Sequence, residues 1–191
     1  MSRVAGIVLA AGTSSRFGPG NKLLTQYRGQ AMVRSVVEAA LASELDPVVV
    51  VTGHDAGDVE KALNGLDVVY VRNADFETGQ ASSLKTGIAT VPDGCSGAMV
   101  LLGDMPDVSA EIINQLLDAF TDETGIVVPR HDGVRGNPVV LGRGNFAEVQ
   151  KTAGDKGARG LLNGANVRLI DVGSNAVLRD FDTPDSLTSQ E

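Results

Sequence analysis

The segment LAAGTSSRFGPGNKLL, residues 9–24, leaves an apolar run and enters a loop rich in Gly, Ser, Thr and Pro that carries Arg16 and Lys22. Glycine lets a backbone approach a ligand closely or turn through positive φ. Two cations beside exposed amides form a receptor for phosphate. The segment is neither a G-x-x-x-x-G-K-[ST] loop nor a G-x-G-x-x-G fingerprint. Its span from Gly12 to Lys22 is too long for a tight strand-to-helix turn. A long loop at the carboxyl end of the first strand of a doubly wound sheet lies where such sheets bind ligands. That placement favours a binding loop over a plain surface connection.

The rest of the chain supplies such a sheet. VAGIVLA (4–10), PVVVVT (47–52), DVVYV (67–71) and GAMVLLG (97–103) are continuous apolar runs bounded by turn residues, which predicts strands buried on both faces. MVRSVVEAALAS (32–43) puts Met32, Val36, Val37, Ala40 and Leu41 on one helical face. GDVEKALNG (57–65) reads as a short helix, and ASSLKTGIATV (81–91) as a weaker one interrupted by Gly87. SAEIINQLLDAF (109–120) has Ser109 as its cap, Glu111 in the first turn, and Ile112, Ile113, Leu116 and Leu117 facing inward. Strand–helix alternation of this kind predicts an α/β fold with a mostly parallel sheet.

After residue 125 the rhythm changes. GIVVPRHDGVRGNPVVL (125–141) predicts two strands about a turn at His131–Gly133, an antiparallel excursion at the sheet edge. Helical pieces over 146–152 and 157–162 follow, then strands at NVRLIDV (166–172) and AVLRDFD (176–182). Thr183 and Pro184 open a terminal helix. Residues 1–191 read as a single domain, without repeats or linkers.

Net charge of −8 and a pI near 4.7 argue against general nucleic-acid or anionic-membrane binding, because the long-range field has the wrong sign. No apolar run reaches the ~18 residues of a membrane span. Cys95 is the only cysteine, which excludes an intrachain disulfide framework and a cysteine-based zinc cluster. The short apolar N-terminal run reads as a strand and not a signal peptide, so the expected location is cytoplasmic.

LAAGTSSRFGPGNKLL resembles the signature of the nucleotidyltransferases that act on molybdenum cofactor: L-A-[AG]-G, an Arg four residues later, then Gly and Lys. The L-A-A-G form is similar to the molybdenum cofactor cytidylyltransferases. VRNADFETGQASSLKTGI (71–88), GAMVLLGDMPDV (97–108), RGNPVVL (135–141), GDKGARGLL (154–162) and DFDTPDSL (180–187) follow in the family's order. The resemblance implies a three-layer Rossmann-like nucleotidyltransferase fold of α/β class. It also implies transfer of CMP from CTP to the terminal phosphate of molybdopterin, with or without its metal, and with Mg²⁺ as cofactor. A molybdenum hydroxylase or its chaperone is the partner that the resemblance implies for the product.

Residue by residue, the resemblance places the nucleotide against Leu9, Ala10, Ala11 and Gly12, the amides of Ala11 and Gly12 reading the base and ribose side, with Arg16 and Lys22 on the triphosphate. Fixed cations there stabilise charge that builds on the attacked phosphate and on departing pyrophosphate. Asp104, at the carboxyl end of an apolar strand, suits Mg²⁺, which takes one or two carboxylates plus substrate phosphates. The resemblance gives this position to the metal aspartate. From GQASSLKTG (79–87), Gly79 and Ser82 carry over to the base and ribose, while Lys85 reads as a solvated charge. Arg135 and Arg159 are the candidates for gripping an anionic acceptor. Asn137, held extended by Pro138, begins a strand beside them.

In RDFDTP (179–184), strand alternation puts Asp180 and Asp182 on one face, with Phe181 in the core. Asp182 is the favoured second metal ligand and Asp180 its support or substitute. Ala11, where the guanylyltransferase branch has glycine, argues for CTP over GTP and ATP. His54 and His131 lack the Ser or Cys companions of a hydrolytic triad, and Asp55 and Asp58 read as a solvated helix start. Three alternatives stand beside cytidylyl transfer. They are another nucleotide or phosphorylated acceptor, an NAD(P)H-linked reduction of a quinone-like compound, and delivery of a finished dinucleotide cofactor.

Overall fold

The computed structural model describes residues 3–14, 17, 20–121, 123–154, 162 and 166–181. Its strands are β1 (Val4–Ala10), β2 (Gln26–Tyr27), β3 (Gln30–Ala31), β4 (Val48–Thr52), β5 (Val69–Arg72), β6 (Gly97–Leu102), β7 (Ile126–His131), β8 (Val134–Arg135), β9 (Val139–Gly142) and β10 (Val167–Asp171). Its α-helices are α1 (Met32–Leu41), α2 (Ala56–Ala62), α3 (Gln80–Ala89), α4 (Ala110–Asp118) and α5 (Phe146–Val149). No described helix is long and apolar enough to cross a membrane.

The main sheet runs β10-β7-β9-β6-β1-β4-β5, with β8 hairpinned onto β7, and β2–β3 form a separate ribbon. β1 lies between β4 and β6, parallel to both, and its register brings Leu9 beside Val51 and Leu102. Strand alternation then sorts β1 between two cores. Val4, Val8 and Ala10 pack with Val33, Val37, Val59, Ile113 and Leu116 of α1, α2 and α4. Ala5, Ile7, Leu9 and Ala11 pack with Leu84 and Ile88 of α3 and Val149, the last residue of α5. Helices on both faces of a mostly parallel sheet make the expected three-layer α/β arrangement.

Ser109 caps α4 as the sequence predicts, its hydroxyl accepting from the Ile112 amide at 3.4 Å. Gly87 in α3 is a packing residue. A Cβ there would come within 2.5 Å of Ile7 Cγ2 and 3.1 Å of Val51 Cγ2, so its absence lets the helix seat on the sheet.

Three expectations are corrected. The antiparallel strand is not at the sheet edge: β9 runs between β6 and β7, antiparallel to both. All four of its residues are buried, because VVLG is apolar on both faces, and β10 takes the edge beyond β7. DVVYV does not give a strand buried on both faces. β5 ends the sheet with β4 as its one strand neighbour, and Val69 and Tyr70 are 50% and 38% exposed. AVLRDFD does not give a strand across its described residues. Asn175–Leu178 wind into a 3₁₀ turn because the Ser174 hydroxyl accepts from the Ala176 amide. The terminal helix and most of the 157–162 piece lie outside the described residues.

Candidate active site

β1 delivers the chain to the carboxyl edge of the sheet, where Ala11 is buried and Gly12 exposed. The loop that follows is tied at its neck. Ser14 donates its hydroxyl to Asn21 Oδ1 at 3.3 Å and accepts from the Lys22 amide at 3.1 Å. Asn21 Oδ1 also accepts from the Leu23 amide at 3.0 Å, capping a 3₁₀ turn over Lys22–Leu24. Two ends of a long loop are thereby held together and Lys22 is aimed.

Its target is Asp104. Beyond β6, the Gly103 amide donates to Leu9 O at 3.1 Å, which continues the β1–β6 ladder up to the aspartate. Lys22 Nζ lies 2.6 Å from Asp104 Oδ2, and the two side chains are 16% and 17% exposed. The two residues are 82 positions apart in sequence and meet at the edge of one cleft.

That cleft, about 280 Å³, is lined by residues from two parts of the chain. Gly12, Thr13, Ser14 and Lys22 come from the loop after β1 and stand with Asp104 beyond β6. Phe76, Glu77, Gly79, Gln80 and Ser83 come from the entry to α3, with Leu9 and Leu102 also lining the cleft. Backbone amides and a cation suit phosphates, and the Phe76 ring offers an apolar face to a flat ligand. Gly79 holds φ of 107°, a conformation that glycine adopts without a Cβ penalty, at the entry to α3.

The sequence-predicted residues fall in three groups. Leu9, Ala11, Gly12, Lys22, Gly79 and Asp104 line the cleft together. Five described ones do not. Ala10 packs in the core under α1. Ser82 donates to Asp75 O and Gly79 O, at 3.0 and 2.8 Å, so it holds the loop while its neighbour Ser83 lines the cleft. Arg135 is exposed and donates to Leu162 O at 2.9 Å. Asn137 donates its amide to Val177 O at 2.9 Å. Asp180 is exposed, one residue before Phe181, whose amide donates to Asp104 O at 3.2 Å. Arg16, Arg159 and Asp182 lie outside the described residues.

Sequence reasoning missed Asn21 and Asn73. Asn73 is 3% exposed, donates to Ser82 Oγ and Ser83 Oγ at 2.8 and 3.0 Å, and accepts from the Asp75 amide. An Asx turn of this kind is a readable pattern, Asn with a turn residue two positions on, and NAD at 73–75 displays it.

No group of three His, Cys, Asp or Glu gathers among the described residues as an all-protein metal cage would require. The donor set at Asp104 nevertheless suits Mg²⁺ or Mn²⁺ arriving with a nucleotide. One partly buried carboxylate, already holding a cation in the Lys22 ammonium, lines the cleft.

Comparison with known proteins agrees with this geometry. The pattern described as the MobA-like NTP transferase domain matches residues 6–170. The chain is 25% identical to the molybdenum cofactor cytidylyltransferase of Escherichia coli K12, covering 100% of this chain and 97% of that protein. It is 32% identical to the nicotine blue oxidoreductase of Paenarthrobacter nicotinovorans, covering 96% and 94%. Among solved structures, Rv0371c of Mycobacterium tuberculosis in complex with manganese superposes with a TM-score of 0.79 at 29% identity, covering 98% of this chain and 99% of that one. With the pattern spanning most of the sequence, the chain belongs to the MobA-like NTP transferase family, whose members include nucleotidyltransferases.

Proposed function

We infer that the protein transfers CMP from CTP to the terminal phosphate of molybdopterin, metal-free or molybdenum-loaded, and releases pyrophosphate. The observation that carries this reading is the Lys22–Asp104 pair, a cation and a carboxylate 2.6 Å apart in the lining of the cleft. Similarity to a cytidylyltransferase over the full chain supports the choice of nucleotide and acceptor.

In the reaction, an oxygen of the acceptor phosphate attacks the α-phosphorus of CTP. The new P–O bond forms as the α–β bridging bond breaks, and its electron pair leaves with pyrophosphate. An ionised phosphate is already the nucleophile, so no protein base has to remove a proton. What the chain contributes is alignment and charge. Phe76, Gly79 and Ser83 receive the base and ribose end. The Ala11 and Gly12 amides face the base and ribose side; Lys22, with Arg16, holds the triphosphate, and Lys22 passes from Asp104 to phosphate oxygens as nucleotide enters. Asp104 would hold Mg²⁺, with Asp182 or Asp180 as its second carboxylate. The bound metal would neutralise charge on the phosphates. Arg135 and Arg159 are assigned to the anionic acceptor and Asn137 to the strand beside it; Ser82 acts through the loop it fastens.

Ala11, which lines the cleft, supports CTP over GTP and ATP, since it carries a methyl where the guanylyltransferase branch has glycine. Steric discrimination of this kind is worth about 1–3 kcal/mol. The test mixes the protein with Mg²⁺, molybdopterin and each nucleotide in turn, and follows pyrophosphate. Release with CTP ahead of GTP and ATP supports the reading. GTP equal to or better than CTP removes the Ala11 argument. NADPH oxidation of a quinone-like compound, with no pyrophosphate formed, replaces transfer by reduction.

A further inference from the structure

Asp107 is three residues past Asp104 and does not line the cleft, yet three donors converge on its carboxylate. That side chain is only 8% exposed. The Tyr27 hydroxyl donates to Oδ1, and Arg28 Nη2 lies 3.3 Å from the same oxygen. Arg179 Nη1 is 3.0 Å from Oδ2, an ion pair whose alignment falls short of a hydrogen bond. The rings reinforce the cluster: Tyr27 and Phe181 centroids are 5.2 Å apart, and the Arg28 and Arg179 guanidiniums lie over them at 5.0 and 5.5 Å.

The three donors come from the two chain segments that flank the active pair. Tyr27 and Arg28 follow the Lys22 turn directly, joined to it by the Thr25 amide donating to Lys22 O at 3.1 Å. Arg179 leads into Phe181, which is 1% exposed and whose amide grips Asp104 O. Asp107 thus ties the backbone carrying Lys22 to the backbone carrying Asp104, from the side of the turn away from the cleft lining. A carboxylate in so little solvent that lost its donors would leave polar groups poorly satisfied in two segments at once.

We propose that Asp107 is a positioning residue that sets the approach of Lys22 to Asp104. This rests on the nucleotidyl-transfer reading for its catalytic meaning, but its structural core is measurable without ligand. The first measurement is a double-mutant cycle on unfolding stability, Lys22→Met with Asp104→Asn, in the ligand-free protein. It is run in the wild-type background and in Asp107→Asn, which keeps an oxygen for the Tyr27 hydroxyl but removes the charge. Arg179→Gln and Tyr27→Phe serve as further backgrounds should Asp107→Asn not fold. The Lys22–Asp104 coupling is expected as a roughly fivefold ratio of folding constants in wild type, falling toward unity in the altered backgrounds. The second measurement is Mn²⁺ binding in the presence of CTP, read from the electron paramagnetic resonance of free Mn²⁺. It should weaken by about tenfold in the same variants.

Unchanged coupling and unchanged Mn²⁺ affinity, with only a lower melting temperature, would overturn the proposal and leave Asp107 a fold-stabilising ion pair. If the wild-type protein binds neither CTP nor Mn²⁺ with CTP, the nucleotidyl-transfer reading falls. The coupling cycle still decides the role of Asp107 in that case.

Discussion

At the scale of single residues, charge placement carries the chemistry and packing carries little of it. Asp104→Asn keeps the shape of the side chain and an oxygen for Lys22, and removes the negative charge. Pyrophosphate release should fall by about 10²-fold or more, while stability falls by about 1–3 kcal/mol, because the largely buried Lys22 ammonium loses its countercharge. Near-normal turnover at saturating Mg²⁺ would make Asp104 a structural residue. Lys22 was legible in the sequence as a cation of the glycine-rich loop, and Asp104 because it ends an apolar strand and has no better local use. Ser82 and Ser83 were not separable there. One residue of helix is a rotation of about 100°, which turns Ser82 to the Asp75 and Gly79 carbonyls and Ser83 to the cleft. Asn21 was invisible for another reason: its work is done through Ser14, seven positions away across a loop.

Among elements, helix propensity and close packing oppose each other at Gly87, and their magnitudes decide the outcome. Replacing glycine by alanine in a helix gains about 1 kcal/mol from propensity. At this position the new methyl would meet Ile7 Cγ2 at 2.5 Å, and Ile7 is fully buried in the central strand. Overpacking of a close-packed core costs about 1–3 kcal/mol, so Gly87→Ala should be neutral to destabilising by ~2 kcal/mol in urea unfolding. An increase in stability would mean that α3 can lift away from β1 at little cost. The elements most visible in the sequence were those with a clear apolar period, α1 and α4, and the runs that became β1, β4 and β6. Apolar content alone could not rank strands by position. DVVYV and the VVL of β9 look equally fit for burial, yet one ends the sheet and the other lies within it. Strand order depends on pairings between distant segments that no local window contains. The AVLRDFD reading failed because one hydroxyl, Ser174, gave the chain a local turn to prefer over extension.

At the scale of the whole molecule, Cys95 reports from the end of the sheet opposite the cleft, just before β6 begins. Burial pushes its thiol above the ordinary value, opposed by Arg3 and Arg143. A thiol whose folded value is raised contributes stability that is full below the unfolded value of about 8.5 and is lost as pH rises through the folded one. Alkylation by iodoacetamide at pH 8 should therefore be at least ~10³-fold slower in the folded chain than in urea. If the molecule opens as one unit, saturating CTP with Mg²⁺ slows the labelling further, although the ligand sits at the other end. Labelling indifferent to ligand would show that this end of the sheet opens by itself. The reversed strand β9 also makes a seam. All sheet strands from β5 across to β6 come from residues 4–102, and those beyond the seam come from residues 126–171. The β1–β6 ladder that leads to Asp104 lies wholly on the first side, as does the turn that carries Lys22. A change of sequence beyond the seam can therefore alter β7 and β10 while the pairing of β1 with β4 and β6 keeps its register.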